Sequence, residues 1–84
     1  MRKDSELTDS DKRVLGYTVR NRAVFLGEVV MNCQMWFDEA EATLKNLRGQ
    51  GLIRVDHIKD ADPAVDIFTP TISGIEFAER SHGI

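Results

Sequence analysis

The sequence predicts an α+β fold, with a three-helix core, a small antiparallel β-hairpin and a C-terminal helix. Three observations predict it. Between Asp38 and Ile53 a helical apolar pattern runs through two glycines straight into a β-prone pair. Further on, two short apolar, β-prone runs flank a polar loop that contains Pro63. Two more segments, after Thr8 and after Thr71, place apolar residues at helical spacing behind a hydroxyl residue suited to cap a helix.

Residues 1–6 are charged and expected to fray. Thr8 is a good N-cap, and Asp9 and Asp11 fall in the first turn, where the helix dipole favours negative charge. The first helix is expected over residues 9–20, with Val14, Leu15, Thr18 and Val19 inward and Arg13 and Arg20 outward. Gly16, a poor helix former, is expected where a neighbour packs closely, and Tyr17 as a half-buried ring with a wet hydroxyl. Residues 20–23 read as a turn and Val24-Phe25-Leu26 as a short strand. A second helix over residues 26–32 turns Val29 and Val30 inward.

Residues 31–37, MNCQMWF, hold more large apolar side chains than a helix–helix turn requires. One reading sends Met35 and Phe37 into the core with Trp36 half-covered. The other leaves an exposed aromatic patch, of the kind enriched at interfaces. Cys33 reads as a small buried hydrophobe.

In the third helix, Ala40, Leu44 and Leu47 form the apolar stripe with Thr43 beside them. Asp38 is expected to cap it, with Glu41 completing a capping box, and Gly49 and Gly51 to end it. Ile53, Val55 and Ile58 then give one strand, residues 59–64 a loop, and Val65, Ile67 and Phe68 the return strand. Thr71 caps a last helix over residues 72–79 that carries Ile72, Ile75, Phe77 and Ala78. Residues 81–84 are expected to form a loose tail.

Two motifs carry a family resemblance. Leu44, Leu47, Gly51, Leu52 and Ile53 spell L-x-x-L-x-x-x-G-L-I, which resembles the end of the recognition helix and the first wing strand of winged helix-turn-helix proteins. Phe68-Thr69-Pro70-Thr71-x-x-Gly74-x-x-Phe77-Ala78 resembles the second wing strand and closing helix of MarR-, PadR- and ArsR-like regulators. The resemblance covers residues 7–80 and implies a winged helix-turn-helix. It further implies a transcriptional regulator that binds duplex DNA through helix 36–48 in the major groove and the 54–68 wing on the backbone. Residues 24–26 would be the strand that pairs with the wing, and the second helix would touch a phosphate through its N-terminus.

The charges complicate that implication. The 84 residues carry a net charge of −3, with 42% hydrophobic and 30% charged residues, the composition of an ordinary globule. Residues 1–22 hold six basic and four acidic residues, a balance of +2, and residues 54–66 hold two basic and four acidic, a balance of −2. The candidate DNA contacts are therefore Arg13, Arg20, Arg22, Lys45, Arg48 and Lys59. Of the positions that the resemblance turns toward the groove, Asp38, Glu39 and Glu41 are carboxylates that repel phosphate, while Ala42 and Lys45 follow. The alternative is an acidic winged helix that meets protein instead, as a homodimer, adaptor or inhibitor of a nucleic-acid machine. Its surface would be Trp36, Phe37, Asp38, Glu39 and Glu41.

Other classes find little support. No apolar run approaches the ~18 residues of a membrane span, and a single cysteine allows no internal disulfide, so a single cytoplasmic domain is expected. His57 and His82 lack metal-ligand spacing, and neither a phosphate-binding glycine loop nor a nucleophile motif occurs. No cofactor, metal or catalytic residue is expected, nor an enzyme.

Overall fold

A computed structural model describes residues 7–56 and 66–82. In chain order its elements are α1 (Asp9–Asn21), β1 (Val24–Phe25), α2 (Leu26–Asn32), α3 (Phe37–Gly49), β2 (Ile53–Asp56), β3 (Ile67–Pro70) and α4 (Ile72–His82). The sheet order is β1-β3-β2, antiparallel throughout, with Val24 opposite Phe68 and Arg54 opposite Thr69. This is the expected α+β winged-helix arrangement.

α1 begins with the full reciprocal cap. Thr8 Oγ1 accepts from the Asp11 N–H at 3.1 Å, and Asp11 Oδ2 accepts from the Thr8 N–H at 3.0 Å, so two orphan donors are satisfied at once. Val14, Leu15 and Thr18 are buried as their spacing predicts, while Val19 is half-buried. Thr18 bonds back to the Val14 carbonyl at 2.8 Å, which lets a hydroxyl sit in the core without cost in unpaired donors. Tyr17 is half-buried and its hydroxyl accepts from Asn32 Nδ2 at 2.8 Å.

The core joins Val14, Leu15, Val24, Val29, Ala40, Leu44, Leu47, Ile53 and Phe77, each 6% exposed or less. α3 therefore packs against both α1 and α2, through the stripe of Ala40, Leu44 and Leu47 that its periodicity picks out, with Thr43 buried beside it. At its end, Gly51 takes φ 77°, the Leu52 N–H reaches the Leu47 carbonyl and the Gly51 N–H the Arg48 carbonyl, both at 3.0 Å. That pair of bonds is a Schellman closure, and it points the chain directly into β2. Gly49, expected to help end the helix, is instead its last residue.

Two expectations fail at the start of α3. α3 is not capped by Asp38 and Glu41: its N-cap is Trp36, which has no side-chain acceptor, and Asp38 and Glu39 fall inside the first turn. Met35 is drawn into the core, so the helix starts earlier than the carboxylates suggest. Phe37 is 54% exposed and Trp36 83%, neither plugged nor half-covered. Ile72 is likewise 77% exposed. Helical side chains lean toward the N-terminus, so at the first position, as for Phe37 and Ile72, they project past the helix end. α4 runs to His82, beyond its expected end. Ile58, the loop with Lys59 and Pro63, and Val65 lie outside the described residues.

Candidate nucleic-acid interface

Two polar contacts set the rotation of α3. Asn46 Nδ2 donates to Asp11 Oδ2 at 3.0 Å, the same oxygen that caps α1, and Ser10 Oγ donates to Glu39 Oε2 at 2.9 Å. Glu39, Thr43 and Asn46 recur at helical spacing and so form the side turned to α1. Asp38, Glu41, Ala42, Lys45 and Arg48 are left exposed on the outer side. Glu39, which the family pattern turns toward a groove, is instead held against α1. Asp11, 5% exposed, is the residue the sequence reading undervalued: a first-turn acid is also the buried pin between two helices.

Lys45 and Arg48 stand one turn apart on that outer side. On β2, Arg54 is exposed, three positions after Gly51 at the turn that ends α3. Strand alternation carries the signal for it, since buried Ile53 and half-buried Val55 put Arg54 on the other face. Lys45, Arg48 and Arg54 are thus all exposed, on α3 and the strand that follows it.

The α1 cations are placed differently. Arg13 Nη1 donates to the Cys33 carbonyl at 2.9 Å and so satisfies an acceptor at the end of α2. Lys12, Arg13, Gly16, Val19 and Arg20 of α1 line a groove of about 390 Å³ against Ala78 and Glu79 of α4. Lys45 and Arg48 are not part of that groove, so the six candidate cations do not form one site. Arg22 is exposed at the C-cap of α1 with φ 72°. Lys59 lies outside the described residues.

The N-terminus of α2 is occupied too. Glu28 Oε1 accepts from the Phe25 N–H at 2.8 Å, placing a carboxylate where a phosphate was expected. Cys33 is buried, and burial pushes its thiol pKa up against the opposing pull of Arg13 and Arg20, which keeps it protonated and unreactive. Among the described residues no group of three or more His, Cys, Asp or Glu could hold a metal ion, and no helix is long and apolar enough to cross a membrane.

A short strand before the second helix, a third helix exposed along one side, and a sheet of β1, β3 and β2 packed beside it define a winged helix. No protein-family model matches the sequence, and no curated protein does. Solved structures do match. Lactococcus lactis ZitR superposes with a TM-score of 0.81 at 17% identity, over 99% of this chain and 56% of that one. BpsR of Bordetella bronchiseptica, whose DNA binding is regulated by 6-hydroxynicotinic acid, gives 0.82 at 25% identity over 98% and 61%. E. coli MarR gives 0.82 at 15% identity over 94% and 58%. ZitR has also been solved in complex with DNA, and that structure matches with a TM-score of 0.81 at 17% identity, over 98% of this chain and 55% of the other. The chain therefore has the winged-helix fold of MarR-type regulators, and spans little more than half the length of the chains it matches.

Proposed function

We propose that this winged helix binds duplex DNA and acts in transcription regulation, with the C-terminal half of α3 in the major groove and the β2–β3 wing along the backbone. The observation that supports it best is the fold itself, which matches a ZitR structure in complex with DNA at a TM-score of 0.81. Lys45 and Arg48 on the outer side of α3, with Arg54 on β2, are the phosphate and base contacts. Arg13 and Arg20, facing the α1–α4 groove, contribute at most to the long-range potential.

The charges grade the helix along its length. Asp38 and Glu41 load the N-terminal half with carboxylates, and Lys45 and Arg48 load the C-terminal half with cations. Few phosphates can then be neutralised, so affinity is modest and falls shallowly with salt, by about 0.9 in log–log slope per phosphate contact.

Fluorescence anisotropy with random and genomic duplexes tests this. The double variant Lys45→Gln/Arg48→Gln should weaken binding and reduce the salt slope by about two. Glu41→Gln, which removes a repulsive charge from the same side, should tighten non-specific binding with no change in melting temperature. Wild-type protein that fails to bind any duplex at low salt removes the DNA reading.

A further inference from the structure

We infer that the exposed aromatic end of α3 docks into the α1–α4 groove of a second copy of this chain, so that copies associate head to tail. This contact uses no residue assigned above to DNA apart from Arg13 and Arg20, and its test contains no DNA.

The inserting surface is formed by Trp36 and Phe37, 83% and 54% exposed, at the N-terminus of α3. Met31, 78% exposed, lies at the end of α2 across the same turn. A tryptophan this exposed makes no use of its apolar area within its own chain, although burial of such a ring is among the largest single contributions a side chain can make. It is also the α3 N-cap, a position where its side chain supplies no hydrogen bond. Neither helix capping nor core packing accounts for it.

Charge selects the partner. Asp38, Glu39 and Glu41 follow directly on the aromatic pair, and no lysine or arginine occurs anywhere from Ala23 to Leu44. The complementary surface has to be apolar and rimmed by cations. This chain carries one: the groove of about 390 Å³ between α1 and α4, where Gly16, Val19 and Ala78 lie among Lys12, Arg13 and Arg20, with Glu79 the single carboxylate among the described residues that line it. Its volume lies within the range that accommodates compact aromatic ligands.

The inserting residues and the groove are different parts of the surface, so the contact is heterologous. Each docked copy presents a fresh aromatic end at one side and a fresh groove at the other, and growth continues unless the rotation closes a ring. A symmetric contact of aromatic end against aromatic end would instead bring six carboxylates together, two sets of Asp38, Glu39 and Glu41, with repulsion opposing it.

Sedimentation equilibrium and light scattering from micromolar to millimolar protein test this, on wild type, Trp36→Ala, and Lys12→Glu/Arg20→Glu, each checked by circular dichroism for an unchanged fold. Wild-type mass should rise with concentration and fall back with added salt. Each variant should associate at least about tenfold more weakly, as loss of an aromatic anchor or its charge partner does. The decisive sample is an equimolar mixture of the two variants. Trp36→Ala keeps an intact groove and Lys12→Glu/Arg20→Glu an intact aromatic end, so the mixture should form a dimer and stop there. A wild type that stays monomeric overturns the inference, as it would if the occupant were a basic protein of another kind. Variants that associate like wild type, or a mixture with no dimer, overturn it equally.

Discussion

Gly74→Ala tests the way α4 is seated. Gly74 is the third residue of α4, and its N–H donates to Thr71 Oγ1 at 3.0 Å. Thr71 in turn donates its hydroxyl to the Gly51 carbonyl at 2.7 Å and its N–H to the Leu52 carbonyl at 3.1 Å. The start of α4 is thus bonded to the corner where α3 turns into β2. A Cβ on Gly74 would overlap the Leu52 carbonyl oxygen, lie 3.0 Å from its carbon and touch Leu15 Cδ1 at 3.4 Å. The obstacle is backbone, so no side-chain rotation relieves it. Alanine gains about 1 kcal/mol in helix propensity over glycine. Overpacking costs about 1–3 kcal/mol, and lifting α4 away forfeits the two Thr71 bonds to the corner at about 1 kcal/mol each. The balance is a loss of about 2 kcal/mol or more. In a domain of this size that lowers Tm by about 8–16 °C.

Gly27→Ala supplies the control. Gly27 lies in α2 with an ordinary φ, and nothing stands within 4 Å of its would-be Cβ. There the propensity gain stands alone and the protein should be stabilised by about 0.5–1 kcal/mol. Thermal and urea melts of both variants, followed by circular dichroism, read the contrast. A Gly74→Ala protein that melts at or above wild type would show that α4 does not rest on the Leu52 carbonyl.

Two further outcomes follow from the core. Leu47→Ala, at a residue 0% exposed, should cost about 2–5 kcal/mol by urea titration, and a Tm shift of only a degree or two would mean that α3 is rotated away from the described packing. Cys33 makes stability depend on alkaline pH: its folded pKa is raised above the ordinary 9.0, so near and above that pH the unfolded thiol loses its proton while the folded one keeps it. Stability should be level with respect to this group below that pH and decline above it. Cys33→Ala should flatten the decline in urea midpoints measured from about pH 7 to about pH 10.

What the sequence makes legible here is what local rules decide. The Thr8 cap, the Leu44–Leu47 stripe, the glycine exit into β2 and the Thr71 cap of α4 each depend on residues within one turn of one another, and each stands where its pattern places it. The misjudged residues depend on partners distant in sequence. Asp11 pins α3 because Asn46, 35 residues on, arrives beside it. Glu39, though exposed, turns toward α1 because Ser10 bonds it. Arg13 closes α2 through Cys33, and the groove that it shares with Arg20 exists only once α4 packs on α1. Net charge likewise gives no hint that the basic residues divide between that groove and α3.

The starts of α1, α4 and α3 show where local consistency is set aside. α1 opens on a reciprocal cap between Thr8 and Asp11, and α4 on a threonine that bonds both its own helix and the neighbouring corner. α3, the helix with the largest exposed side, opens on a tryptophan that caps nothing, followed by an exposed phenylalanine and two carboxylates. Replacing Trp36 by serine or aspartate would gain about 1 kcal/mol of helix stability and remove an exposed aromatic. A small domain with a stability of only about 5–10 kcal/mol forgoes that gain at the end of its most exposed helix. Departures from local rules concentrate where a surface has work to do outside its own fold, and in this chain they concentrate at Trp36.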